Sequence, residues 1–196
     1  MGVDFDFFSI EPGDREPKQG RVLISEPFLG DSYFKRSIVF LTEHNEDGTV
    51  GFVLNKPVNI PVTEILDDFP DIKTEVSIGG PVGTNTVHYI HTLGKIIPNS
   101  VNVYKEIYWG GDFNVIKDLL KSGGINKNQI RFFVGYSGWR PKQLENEIKE
   151  NSWVITEMAP SVIMENRGEN IWKETLKKLG KKYKLWTNFP ENPGMN

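Results

Sequence analysis

The chain has 196 residues, 38% of them hydrophobic and 25% charged, with a net charge of −3 and no cysteine. It is long enough to bury about 70% of the surface its unfolded form exposes, and too apolar and too nearly neutral to be disordered. No stretch approaches ~18 consecutive apolar residues, so no transmembrane helix is expected. Without cysteine there is no disulfide, thiolate zinc site, cysteine-ligated cluster or cysteine nucleophile.

Residues 1–19 carry acids from Asp4 onward and are broken by Pro12 and Pro17. That order is wrong for a secretory signal. The expectation is a cytoplasmic protein with an N-terminal arm over residues 1–19 and a single domain over residues 20–196. Arg21 to Ser25 is an apolar run of strand length, ended by Pro27. Arg36 to Glu43 is rich in branched and aromatic residues and predicts a strand. His44 to Gly48 is a turn containing Asp47-Gly48, and Thr49 to Asn55 the return strand of a hairpin. Thr63 to Phe69 predicts two helical turns. Glu75 to Gly83 predicts a short strand entering a Gly-rich turn, and Val87 to Thr92 and Val101 to Trp109 two further strands.

Asp112 precedes Phe113, Ile116, Leu119 and Leu120 at helical spacing, with Gly123-Gly124 closing the helix. Ile130 to Ser137 predicts a central strand. Pro141 suits the first turn of the next helix, which has Leu144 and Ile148 as its buried stripe. Ser152 to Met158 is extended. The last helix spans about Glu169 to Leu179, stopped by Gly180, and an irregular tail follows from Thr187. Hairpins interspersed with single helices favour an α+β fold with a mostly antiparallel or mixed sheet.

The phrase GYSGW (Gly135 to Trp139) approaches a hydrolase elbow, but an elbow needs glycine where Trp139 stands. A structural turn is therefore preferred for Ser137 over a nucleophile. His88 and His91, three apart on a strand, point to opposite faces, so no shared metal is expected. His44, beside Glu43, Glu46 and Asp47, lacks the alternating oxygen donors of a calcium loop. Gly79 to Gly83 has no phosphate-loop Lys-Ser/Thr and predicts a chain reversal stiffened by Pro81. Lys173 to Lys184 holds six lysines and one glutamate, with Trp172, Tyr183 and Trp186 nearby. That pattern suits nucleic acid, or a solvated helix face. Trp109 and Trp139, beside glycine-bearing bends, suit either a groove lining or the core.

Leu23 to Pro57 (LISEPFLGDSYFKRSIVFLTEHNEDGTVGFVLNKP), GGPV (Gly79 to Val82), YWGGDF (Tyr108 to Phe113), GYSGWRPKQLENEI (Gly135 to Ile148) and the segment from Trp172 to Asn196 resemble the AlgH/YqgE family of bacterial proteins, in the family's order. The resemblance implies an α+β fold whose branched sheet curls into a pseudo-barrel flanked by helices. It implies little about activity, although some members carry the label of transcriptional regulator. Motif positions fall on Arg36, Glu43, His44, Asn55, Trp109, Asp112, Tyr136, Ser137, Trp139, Gln143 and Glu145, which form the candidate binding set. One departure is Lys142, where the family has glycine. Arg36 offers a planar fork for a carboxylate, either a ligand's or that of Asp31 or Glu145.

No cofactor or metal is expected. The leading expectation is a non-enzymatic regulatory or interaction protein that holds a peptide or small ligand near GYSGW and YWGGD. An enzyme drawing acid–base groups from Glu43, His44, Asp112 and Glu145, and a nucleic-acid-binding regulator using Lys173 to Lys184, are the alternatives.

Overall fold

The computed structural model describes residues 16–66, 69–70, 75–165, 168 and 170–191. Most of the expected arm, the end of the helical turns expected after Thr63, and the last five residues of the tail lie outside them. Among the described residues, ten strands join one branched sheet flanked by five α-helices. The main path runs β10 (Trp153–Thr156), β1 (Val22–Ser25), β2 (Ile38–Asn45), β3 (Gly48–Val53), β9 (Ile130–Trp139), β6 (Val82–His91), β8 (Ile107–Trp109), β7 (Val101–Tyr104). β4 (Pro57–Pro61) pairs only with β5 (Glu75–Ile78), and β5 lies parallel to β9. Every other pairing is antiparallel.

β9 is the branch point. β3 pairs with it at Ser137 to Trp139, and β5 takes over the same edge at Phe132 to Val134. β6 occupies the other edge. The chain must therefore cross β9 between β5 and β6, and it does so at Gly79-Gly80-Pro81. A Cβ on Gly80 would stand 2.4 Å from the Tyr136 carbonyl, and one on Gly79 2.3 Å from the Gly135 oxygen. Two backbones in such contact leave no room for a side chain, which is why the crossing is made of glycine.

Alternation along the strands sorts the core. Ile24, Ile38, Phe40, Phe52 and Leu54 from one limb of the sheet share a cluster with Ile90, Val103, Ile107 and Phe133 from the other. The sheet thus curls around a common interior. It is capped by α3 (Pro160–Met164), α4 (Asn170–Lys178) and α5 (Lys181–Trp186), which contribute Ile163, Trp172, Leu176 and Trp186. On the outer faces, α1 (Phe113–Lys121) packs Ile116 and Leu120 on Phe132, and α2 (Gln143–Lys149) packs Leu144 and Ile148 on Trp139 and Trp153. The curl does not close by a ladder, because β10 and β7 are the two ends of the path. The seam is bridged by side chains: Gln19 donates Nε2–H to the Asn102 oxygen at 2.8 Å, and Gly20 lies against the Tyr104 ring.

Several expected boundaries move. The predicted strand over Val101 to Trp109 is a hairpin turning at Lys105-Glu106. GYSGW is not a strand-to-helix turn but the last half of β9, kinked at Gly135 with φ +65°. Pro141 precedes α2 rather than opening it. Thr63 to Phe69 begins with a short 3-10 turn over Val62–Glu64. α3 and α5 are additional helices, and no helix among the described residues is long and apolar enough to cross a membrane.

Candidate functional site

The β2–β3 turn and the end of β9 border a cleft of about 530 Å³. Across the sheet, Glu43 pairs with Val50 and Val50 with Gly138, so these three positions form one row. Val82 and the half-buried Tyr136 complete the apolar floor. Gly138 is exposed, and a Cβ there would meet the Tyr136 ring edge at 3.2 Å and Val82 at 3.8 Å. The cleft is open at its floor because residue 138 has no side chain. One rim carries Glu43, Asn45 and Asp47, and the other Arg140 and Pro141. The acidic rim is ordered from within: Asn45 donates Nδ2–H to Glu43 Oε1 at 2.6 Å, and its own oxygen accepts the Asp47 N–H at 2.8 Å. Two carboxylates face one guanidinium, so the rim favours a cation.

Beyond Tyr136 the interior face continues as a row of rings. His88 meets Tyr136 edge-on at 5.6 Å, Phe52 lies 5.4 Å from His88, and Trp109 lies 6.0 Å from Phe52. Tyr136 of GYSGW and Trp109 of YWGGD are thus linked across the sheet, both half-buried. Burial holds His88 below the ordinary imidazole range.

The remaining candidates separate. Trp139 is only 5% exposed. Its indole is packed beneath α2, stacked 5.8 Å from Phe34, so its main chain is what it lends the cleft. Its Nε1–H donates to Glu147 Oε2 at 2.9 Å, and Trp153 donates to the same oxygen at 2.8 Å. Gln143 steadies that carboxylate through Oε1 at 3.0 Å. Glu147, absent from the expected set, is the residue that joins these elements, and only its i+4 spacing from Gln143 hints at it. Glu145 sits one residue past Leu144 on α2, away from Arg36's contacts. Ser137 is fully buried and donates its hydroxyl to the Gly79 oxygen at 2.9 Å, stitching the branch of the sheet. His44 Nδ1 bonds the Thr49 hydroxyl at 2.7 Å.

Asp112 caps α1, accepting from Asn114 N–H at 2.9 Å and Val115 N–H at 3.4 Å. Its charge, after the larger effect of burial, helps push Tyr89 up to about 12. His91 contacts Tyr89 and Tyr108 while His88 contacts Phe52 and Tyr136, so the two imidazoles do face apart. Among the described residues no three His, Asp or Glu side chains converge as for a metal.

Arg36 and Asn55 lie elsewhere, near the C-terminal helices. The expected partners of Arg36, Asp31 and Glu145, are not the ones it meets. It donates to the Phe189 oxygen at 2.6 Å and approaches Glu191 at 3.8 Å. The aromatic residues beside the lysine run are also not available to bases. Trp172, Tyr183 and Trp186 are all buried in the interior cluster. The face over Lys173 to Lys184 therefore offers charge without a stacking platform.

A family described as AlgH-like matches residues 22–184, and the chain belongs to that family. A UPF0301 protein of Bacteroides fragilis is 42% identical over 197 residues, covering all of both chains. One of Chlorobium limicola is 38% identical over 91% of this chain and 96% of its own. The solution structure of the AlgH protein from Pseudomonas aeruginosa superposes with a TM-score of 0.70 at 25% identity, covering 88% of this chain and 94% of that one. The crystal structure of protein DIP2367 from Corynebacterium diphtheriae superposes with a TM-score of 0.75 at 22% identity, covering 96% and 100%, and shows the shared fold.

Proposed function

We propose that this protein is a non-enzymatic regulatory or interaction protein, and that the cleft between the β2–β3 turn and the end of β9 receives a short peptide segment or small ligand. The ligand class that suits it presents an apolar group to Val50, Val82 and Tyr136 and a cation to Glu43 and Asp47. Gly138 is the observation that carries this reading: the floor is kept clear at an exposed strand position where a β-branched residue would otherwise be favoured. A catalytic reading finds less support, since the Ser137 hydroxyl is spent on Gly79 and Asp112 on capping α1.

Screening a library of short cationic–apolar peptides by amide chemical shifts tests the reading. Binders are expected to move Val50, Tyr136 and Gly138. Gly138→Val fills the cleft without backbone strain and should weaken them at least about tenfold, equivalent to about 1.4 kcal/mol. Binders that map elsewhere, or that bind Gly138→Val equally well, would overturn it.

A further inference from the structure

The structure holds a second cavity of about 430 Å³, between the start of β4, the first turn of α4 and the segment after α5. Among the described residues, three cations line it, Arg36, Lys56 and Lys173, against one carboxylate, Glu191. Asn170 and Lys173 reach it together because residues three apart share one side of a helix. Phe189 and Pro190 form an apolar wall.

Arg36 is built into this position at a cost. Its φ is +50°, in the left-handed region, where a side chain with a Cβ is strained. Asn55, fully buried, clamps it there: Nδ2–H donates to the Arg36 oxygen at 2.8 Å, while Oδ1 accepts the Ile38 N–H at 2.9 Å. The guanidinium carbon then lies over the Trp172 ring, 5.2 Å from its centre, with the Arg36 side chain only 11% exposed. Its Nε is buried with no partner among the described residues. Strained backbone held by a buried clamp is the signature of a side chain whose direction matters.

We propose that this cavity binds a small phosphate monoester. The described lining residues carry a net charge of +2, from three cations and one carboxylate. A phosphate monoester carries about −1.5 to −2 at neutral pH, whereas a single carboxylate would leave the lining under-neutralised. With Nη2 held by the Phe189 oxygen, Arg36 turns Nη1 toward the ligand in place of Glu191, and Lys56 and Lys173 supply mobile point charges. Glu191 holds Arg36 loosely, at 3.8 Å and 58% exposed, so a phosphate displaces it with little loss. The organic group of the ester then lies against Phe189 and Pro190.

Phenyl phosphate and inorganic phosphate are the probes, read by tryptophan fluorescence, since Trp172 lies directly under Arg36. Wild type should bind phenyl phosphate more tightly than inorganic phosphate. Lys56→Gln combined with Lys173→Gln should weaken it by about tenfold, two lost charge-assisted contacts, with the melting temperature unchanged. Glu191→Gln should tighten it, by about threefold. Lys178→Gln removes one lysine charge from α4 outside the lining and should leave binding unaltered. Absence of binding at about 10 mM phenyl phosphate, the weakest affinity this probe would read, would overturn the proposal. So would equal weakening by Lys178→Gln, or binding to duplex DNA alone. The two clefts share no lining residue, so this result and the Gly138→Val result stand or fall separately.

Discussion

Lys142 shows at the scale of one residue how a sequence departure acquires a physical meaning. It stands where the resemblance leads one to expect glycine, and it is the residue before α2, with φ +65° and ψ −2°. The left-handed region admits glycine freely and charges other residues about 1–2 kcal/mol. A glycine at this position would thus be explained by backbone geometry, without a ligand contact. Lys142→Gly should raise the denaturant midpoint. The gain is about 0.5–1 kcal/mol, because relief of strain is partly offset by the greater freedom glycine has when unfolded. A lower midpoint would mean that the lysine side chain contributes something the backbone argument omits. Arg36 takes the same conformation, but there the buried amide of Asn55 fixes it, and the strain serves a direction.

Among elements, β6, β8 and the start of α1 are joined through one imidazole. His91, fully buried, donates from Nε2 to the Gly110 oxygen at 2.8 Å, and its Nδ1 accepts the Leu93 N–H at 3.1 Å. This pairing assigns the neutral tautomer with hydrogen on Nε2. Burial lowers its pKa, and the Gly110 bond only partly restores it. The folded state therefore takes up protons later than the unfolded chain as pH falls. The stability His91 confers is complete above its unfolded pKa, about 6.5, and is lost as pH falls through the lower folded value. The midpoint of urea unfolding should decline from pH 7.5 to pH 5, and His91→Asn should flatten that decline. A residual slope is expected from His88, whose pKa is also lowered, whereas an unchanged slope would sink the assignment.

What could be read from residues at this scale follows the strength of local signals. The Asp47-Gly48 turn placed the β2–β3 hairpin, and Asp112 placed α1 within a residue of its start. The β7–β8 hairpin was invisible because its turn residues, Lys105 and Glu106, carry no turn signature. Lys105 adopts φ +49° while Asn102 supports its oxygen at 2.7 Å. Likewise the cleft was half legible. Tyr136 and Glu43 were in the expected set and line it, yet Gly138, which opens it, looked like ordinary turn glycine.

For the whole molecule, the decisive feature is a sheet that curls almost into a barrel and is fastened across the gap by side chains rather than by a ladder. Long-range closure of this kind leaves no local trace, since Gln19 and Asn102 are 83 residues apart and neither belongs to a motif. Such a seam should be the weakest line of the fold, because among the described residues β7 has β8 as its sole ladder partner. β2, by contrast, is paired on both sides. Gln19→Ala removes the Nε2–H bonds to the Asn102 oxygen at 2.8 Å and the Val103 oxygen at 3.4 Å, the shorter worth about 0.5–1.5 kcal/mol. Amide exchange should then quicken over Val101–Tyr104 and Ile107–Trp109 while Ile38–Asn45 and Gly48–Val53 stay protected, because local opening is cheaper than global unfolding. If exchange instead quickened equally in all four strands, the curl would be a single cooperative unit, and the side-chain seam would not be where it opens.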